Sequence, residues 1–259
     1  MLTSHHKGII LAGGSGTRLF PVTKVVCKQL LPIFDKPMIY YPISTLINSG
    51  VKDIMIITTP EDHILFKKLL GDGSQWGVNF EYEIQKKPEG IAQSLLIASS
   101  WLNGSPSVLI LGDNLFFGPD IFSIVNKAMI NNNGATLFGY KVNHPQRFGV
   151  VDFDETNKAI SIEEKPENPK SNWAVTGLYI FNQKAVSYAK GLKKSKRGEY
   201  EITDINKLYL EDKELEVVLL GNEFSWLDTG THDSLLEASN FVRNTELNSG
   251  VQVAELKNV

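Results

Sequence analysis

An apolar run, Ile9 to Ala12, stops at Gly13-Gly14-Ser15-Gly16. A short apolar run bounded by turn residues reads as a buried strand. The loop that follows it is nearly free of side chains. Backbone N–H groups in such a loop can close on an anion, because no Cβ blocks the approach. Arg18 and Lys28 then bring positive charge for phosphate oxygens. The segment suits a polyphosphate. Two familiar phosphate loops are excluded. The ATPase loop needs Gly-Lys-Ser/Thr after its glycines, and here Gly16 is followed by Thr17-Arg18. The dinucleotide fingerprint needs a third Gly or Ala, where this chain has Leu19.

The chain has 259 residues, 42% apolar and 21% charged, enough to bury a large core. A single domain over 1–259 is the simplest expectation. No apolar run approaches the roughly 20 residues of a membrane span, and the start shows no basic region leading into an apolar stretch. A net charge of −3 gives no general pull toward nucleic acid. Charge for an anionic substrate must therefore be local. One cysteine, Cys27, excludes an internal disulfide and fits a reducing, cytoplasmic setting. Its neighbour Lys28 would lower a thiol pKa, but a small buried hydrophobe is the expected role. His5-His6 reads as an untethered tail rather than a metal pair.

Apolar strands alternate with helical patterns, which predicts an α/β fold with a mostly parallel sheet. Strands are expected at 9–12, 54–58, 78–84, 108–111 and 135–140. Helices are expected at 38–48, 61–70, 91–101 and 121–130. The second half reads as richer in strands. It has a hairpin of 149–153 with 159–164, then strands at 175–181, 215–220 and 226–228. Helices there are expected at 183–192, 203–212 and 233–247. No repeat, linker or low-complexity segment interrupts the pattern.

A polyphosphate site usually needs Mg²⁺, which takes oxygen ligands, keeps several waters and is satisfied by one or two carboxylates. Asp113 follows the apolar 108–111 strand, at the sheet edge where α/β proteins bind ligands. Asp228 sits at a second apolar-to-turn junction, before Thr229-Gly230-Thr231. Either aspartate alone also suits a turn or a helix cap. Beside a phosphate loop, metal ligation is the favoured reading of the pair.

Gln85 ends a strand with an amide that can donate and accept, as reading a pyrimidine edge requires. Gly90 would let the backbone approach a flat base, while Lys86-Lys87 reads as an exposed turn. In Glu163-Glu164-Lys165-Pro166, the proline stops regular pairing and presents Lys165 at a strand end. Lys165 there suits the phosphate of a second substrate, and Glu164 suits sugar hydroxyls. Thr203 and Asp204 read mainly as helix capping, and the aromatics of 173–179 serve equally as core. His63, His144 and His232 lack the Ser or Cys partners of a triad, so no nucleophilic side chain is expected.

Several segments together carry a resemblance to a known family. They are Gly8 to Pro32, Lys36 to Pro42, Leu70 to Gly77, Leu111 to Asn114, Glu163 to Pro166, Glu201 to Asn206 and Trp226 to His232. Over nearly the whole chain they resemble the glucose-1-phosphate thymidylyltransferases, among the sugar nucleotidylyltransferases. The resemblance implies a Rossmann-like nucleotidyltransferase core with a β-rich sugar-binding part. It implies that Gly13, Gly14, Arg18 and Lys28 hold the nucleotide phosphates and that Gln85 and Gly90 read thymine. It implies Mg²⁺ on Asp113 and Asp228. Gly149, Glu164, Lys165 and Val175 would contact the sugar phosphate. The substrates would be dTTP and glucose 1-phosphate, with Arg18, Lys28, Asp113 and Asp228 as the catalytic set, in a homotetramer.

Two substitutions depart from the family pattern. Cys27 replaces a usual Ser or similar residue, and Phe148 stands where Tyr is common, removing one hydroxyl near the sugar. Longer members carry further C-terminal helices that help form a regulatory site. With the sequence ending at Val259, weak or absent inhibition by dTDP-rhamnose is expected. Three rival readings stand beside this one. The nearest is another nucleotidylyltransferase, using UTP or CTP or a different hexose 1-phosphate, since Gln85 suits thymine and uracil alike. A non-catalytic nucleotide-sugar sensor is expected to lose Lys28, Asp113 or Asp228, and all three are present. A glycosyltransferase would usually carry Asp-x-Asp after the central strand, where this chain has Asp113-Asn114-Leu115.

Overall fold

In chain order the elements are β1 (Lys7–Ala12), β2 (Pro32–Ile33), β3 (Lys36–Pro37), α1 (Tyr40–Asn48), β4 (Asp53–Thr58), α2 (His63–Leu70) and β5 (Asn79–Ile84). There follow α3 (Gln93–Ile97), α4 (Ser99–Leu102), β6 (Ser107–Leu111), β7 (Asn114–Phe117), α5 (Ile121–Asn131) and β8 (Ala135–Lys141). The second half holds β9 (Gly149–Phe153), β10 (Ala159–Glu164), β11 (Trp173–Phe181), α6 (Lys184–Gly191), α7 (Ile202–Glu211), β12 (Leu215–Leu220), β13 (Ser225–Asp228) and α8 (His232–Ser249). The computed structural model describes residues 5–14 and 16–256.

One nine-stranded sheet runs in the order β10-β9-β11-β6-β1-β4-β5, with β8 beside β11 and β12 beyond it. Strands β6, β1, β4 and β5 are mutually parallel, and β12 is parallel to β8. Strand β11 runs antiparallel to β6, β8 and β9, and β9 to β10. The sheet is therefore mixed, parallel where the sequence alternates strand and helix and antiparallel where it forms hairpins. The chain leaves β1 for β4 and β5 on one side, then returns to β6 on the other. That reversal is a topological switch point, where the carboxyl ends of neighbouring strands open a crevice.

β1 is buried on both faces. Ile10 and Ala12 join the apolar cluster that includes Ile43, Ile56, Phe66 and Val125. Ile9 and Leu11 join the opposite cluster with Leu95, Leu109, Ile205 and Tyr209. The alternation follows from the two-residue period of a strand. Helices α1, α2 and α5 cover the first face, and α3, α4, α6 and α7 the second. Helix α8 packs Ala238 and Val242 on Ile33, Tyr41 and Leu115 in a third cluster.

Local expectations needed correction at three points. The helix expected over 91–101 starts at Gln93 and divides into α3 and α4 around Ala98, and the Ala92 N–H ahead of it donates to the Tyr200 carbonyl at 3.2 Å. The strand β7 was not foreseen; it forms because Asn114–Phe117 pairs with β13, Asp228 opposite Asn114. His6 is not in a loose tail. It is half-buried at the start of β1, and burial pushes its imidazole down to about 4. Cys27 is buried, and burial with the nearby Asp62 carboxylate pushes its thiol up to about 12, so it stays a neutral thiol.

Candidate active site

The Gly-rich loop leaves the carboxyl end of β1. Gly14 has φ +103° and Gly16 φ +58°, a backbone region that side chains with a Cβ adopt at a cost. The Gly16 carbonyl accepts the Thr23 hydroxyl at 2.7 Å and the Leu19 N–H at 2.9 Å, which folds the loop back on itself. A cavity of about 240 Å³ lies between this loop and Lys28, Gln29, Asp113 and Gly230. The Arg18 guanidinium lies over Gly230, where a Cβ would come within 2.8 Å of Nη2. Lys28 is only 8% exposed, and its Nζ donates to Asp113 Oδ2.

Beside this lies a second cavity of about 310 Å³, reached from Gly13, Gly14 and Arg18 and walled by Gln85, Pro88, Gly90 and Ile91. The buried Gln85 amide donates to Gln93 Oε1 at 2.7 Å and to the Gly90 carbonyl at 3.4 Å. Gly90 has φ +103°, and a Cβ there would clash with the backbone of Tyr200. The need for glycine at this position thus comes from the 194–201 segment as well as from any flat ligand.

A third cavity, about 520 Å³, opens on the other side of Asp113. Gly149, Glu164, Lys165, Val175 and Asp228 line it, with an apolar wall of Ile91, Leu111, Ile202 and Trp226. Glu164 accepts the Thr203 hydroxyl at 2.5 Å and Arg197 Nη1 at 3.2 Å. Thr203 is therefore not a helix cap, since the N-cap position of α7 is Glu201. Lys165 has φ +43°, an uncommon conformation for a side-chain-bearing residue, and its N–H donates to the Phe148 carbonyl at 3.0 Å.

The cavities share Arg18 and Asp113, so the three form one continuous site. Each site residue expected from the sequence lies on one of these walls. Asp113, in the turn after β6, and Asp228, at the end of β13, line the same cavity. Burial works to raise the Asp113 carboxyl, but the Lys28 ammonium and hydrogen bonds from Lys28 and Asn114 hold it below the ordinary range. Asp228 is displaced the other way, by burial first and then by the negative charge of Asp113. Two carboxylates that repel each other in a half-buried crevice are stabilised by a shared cation. Among the described residues no group of three or more His, Cys, Asp or Glu is placed to hold a metal.

The nucleotidyl transferase family model matches residues 7–245. The chain belongs to the nucleotidyl transferase family. Within it, the chain is 54% identical over 250 residues to a glucose-1-phosphate thymidylyltransferase of Xanthomonas campestris pv. campestris strain B100, covering 96% of this chain and 85% of that one. It is 53% identical over 253 residues to the Neisseria gonorrhoeae enzyme of the same name, covering 98% and 88%. A Bacillus anthracis protein described as a glucose-1-phosphate thymidylyltransferase, crystallised with sucrose, superposes with a TM-score of 0.86. It is 44% identical, over 92% of this chain and 96% of that one. A UDP-glucose pyrophosphorylase with bound UDP-glucose shares the fold, with a TM-score of 0.79 at 24% identity over 93% and 99%.

Sequence reasoning about this nucleotidyl transferase missed Asn114. It is 2% exposed. Its Oδ1 accepts Trp226 Nε1–H at 2.6 Å and the Gly177 N–H at 3.0 Å, and its Nδ2 donates to Asp113 Oδ1 at 2.9 Å. One amide thus joins β7, β11 and β13 to the Asp113 carboxylate. Arg147 and Arg197 were also missed, because each becomes part of the site through partners far away in the chain. The only local signal for Asn114 was its position beside Asp113.

Proposed function

We propose that the three joined cavities transfer the thymidylyl group of dTTP to glucose 1-phosphate, giving dTDP-glucose and pyrophosphate. The continuity of the cavities through Arg18 and Asp113 carries this reading. It gives two substrates a common meeting point beside a cationic, glycine-lined loop. The phosphate oxygen of glucose 1-phosphate attacks the α-phosphorus in line. The new O–P bond forms as the bridge to the β-phosphate breaks, and pyrophosphate leaves with the electron pair. The nucleophile is already an anion, so no side chain need take its proton. Positioning and charge neutralisation then supply most of the acceleration.

Arg18, Lys28 and the Gly13–Gly14 backbone hold the triphosphate. Lys28 must exchange its Asp113 partner for phosphate oxygens as the site fills. Gln85 and Gly90 bind thymine, Glu164 the sugar hydroxyls and Lys165 the sugar phosphate, with Gly149 and Val175 shaping the sugar pocket. Asp113 and Asp228 would hold a divalent cation, Mg²⁺ in our reading. When bound, such an ion neutralises charge on the phosphate oxygens.

We also read residues 1–259 as one domain, since a single sheet draws strands from both halves. A cytoplasmic homotetramer, with no nucleic acid or membrane as partner, completes the reading. Its support is the family resemblance and the lone buried Cys27. Among the described residues no helix is long and apolar enough to cross a membrane.

The deciding experiment measures pyrophosphate release from glucose 1-phosphate with dTTP and with UTP, with Mg²⁺ and after chelation. Fast release with dTTP, lost on chelation, is expected. Preference for UTP would move the chain to another nucleotide, because the Gln85 amide serves uracil as well as thymine. Release that survives complete chelation would remove the cation from the scheme.

A further inference from the structure

The β9–β10 hairpin carries two cations at one end. Gly149, the first residue of β9, pairs with Glu164, the last of β10. Arg147 and Phe148 lead into the one strand and Lys165 follows the other, tied by the Lys165 N–H donating to the Phe148 carbonyl at 3.0 Å. Both cationic side chains line the 520 Å³ cavity. Each has an acid nearby but out of hydrogen-bond reach. Arg147 Nη2 is 3.9 Å from Asp228 Oδ2, and Lys165 Nζ is 3.9 Å from Glu164 Oε1. The side chains are 44% and 45% exposed.

Two other cations nearby are committed, while Arg18 is shared with the other two cavities. Lys28 bonds Asp113, and Arg197 bonds Glu164 and Glu199. Arg147 instead rests its guanidinium near an aromatic ring. Its guanidinium carbon lies 5.6 Å from the centre of the Phe148 ring. That ring meets Trp226 edge-on at 5.0 Å, and Trp226 is fixed by its hydrogen bond to Asn114. A planar guanidinium held against an aromatic face keeps its in-plane donors free for a second ligand. Phosphate oxygens match that fork better than one distant carboxylate does.

We propose that Arg147 is a binding residue of this site, and that its guanidinium and the Lys165 ammonium clamp the phosphate group of the sugar substrate. The identity of that substrate as a sugar 1-phosphate rests on the thymidylyl-transfer reading. The clamp makes the phosphate, rather than the hexose ring, the main handle by which the second substrate is held. It also draws Arg147 away from Asp228, freeing that carboxylate for a cation. Selection then favours a dianionic phosphate monoester over a neutral sugar.

The test uses the full chain with Arg147→Met and Arg147→Lys. Steady-state KM is measured separately for dTTP and glucose 1-phosphate, with the Tm of each variant. Arg147→Met should raise the KM for glucose 1-phosphate about ten- to hundredfold, the effect of losing a hydrogen-bonded charge. The KM for dTTP should stay within about threefold. Arg147→Lys should recover part of the loss. Equal shifts in both KM values, or no shift, would overturn the proposal, as would a loss explained by a lower Tm. If the unaltered chain releases no pyrophosphate from dTTP and glucose 1-phosphate, the functional reading fails by itself. Calorimetric titration with glucose 1-phosphate then decides on Arg147. Weaker binding to Arg147→Met sustains the clamp; equal binding, or none to the unaltered chain, overturns it.

Discussion

At the ends of β1 and β6 the site is made largely of backbone; at the end of the β9–β10 hairpin it is made of side chains. The first region depends on Gly13, Gly14 and Gly16, on a loop closed by the Gly16 carbonyl, and on one buried ion pair. The second depends on a web in which Glu164 is held by Thr203 and Arg197, and Asn114 by Gly177 and Trp226. The difference suits the work proposed for each. A triphosphate is recognised by rows of N–H groups and fixed charge. A hexose is recognised by hydrogen bonds from separate directions, which only side chains on several elements can supply.

The largest effect should come from breaking the ion pair of the first region. Lys28→Met removes the ammonium that neutralises Asp113 and is assigned to the phosphates. The expected fall in kcat is on the order of 10²–10³, as for loss of a transition-state donor, with smaller changes in either KM. An unchanged kcat with only a weaker KM would refute a transition-state role for Lys28. The variant should also melt lower, since a half-buried carboxylate is left without its partner.

A second test separates glycines that serve conformation from those that also serve packing. Gly90 and Gly14 both have φ +103°. A Cβ at Gly90 meets the Tyr200 backbone, whereas one at Gly14 meets nothing within 4 Å. Gly14→Ala should cost about 1 kcal/mol from the strained backbone alone. Gly90→Ala should cost about 2–3 kcal/mol, because the Tyr200 backbone must also move. Urea midpoints of the two variants give the comparison. Equal losses would mean that Tyr200 yields freely, and that Gly90 is needed only for its φ.

The two regions also differ in how far the chain alone reveals them. The strand ending in Gly13-Gly14-Ser15-Gly16 is contiguous, and its period and punctuation carry its meaning. The parallel core and the placement of Asp113 at a strand end follow from the same local pattern. The hairpin of β9 and β10 was equally visible, because a turn lies between two alternating strands. What that hairpin touches was not. Thr203 looked like a helix cap because its bond to Glu164 spans 39 residues. Asn114 looked like a neighbour of Asp113 because its link to Trp226 spans 112. Such contacts exist only once β11 lies antiparallel to β6, a pairing that local periodicity does not encode. The same blindness hid β7, whose four residues become a strand only against β13.

Thr203 offers a smaller and more selective test of the side-chain region. Thr203→Val keeps the shape and removes the hydroxyl that donates to Glu164. Glu164 keeps Arg197 as its partner, so the fold should tolerate the change. The KM for glucose 1-phosphate should rise about tenfold, as for one hydrogen bond to a charged group, with the KM for dTTP unmoved. A matching rise for dTTP would show that the two regions are not separable at this residue.

The smallest effect concerns the far end of β1, away from the phosphate loop. His6 has both ring nitrogens buried, with no hydrogen-bond partner among the described residues. Burial lowers its pKa from the ordinary 6.5 to about 4. Between those values an unfolded chain binds a proton at His6 and the folded chain does not. Stability therefore falls as pH drops through that window, and above about pH 6.5 His6 contributes no pH dependence. His6→Met keeps an apolar side chain of similar bulk and removes the titration. The Tm of the unaltered chain should drop by a few degrees more than that of the variant between pH 7 and pH 5, on the order expected for ~1 kcal/mol in a chain of this size. Activity at pH 7 should be the same for both, since His6 lines none of the three cavities. Parallel Tm curves would mean that the buried imidazole gains a partner on protonation. The base of β1 would then be as well satisfied as its glycine-rich end.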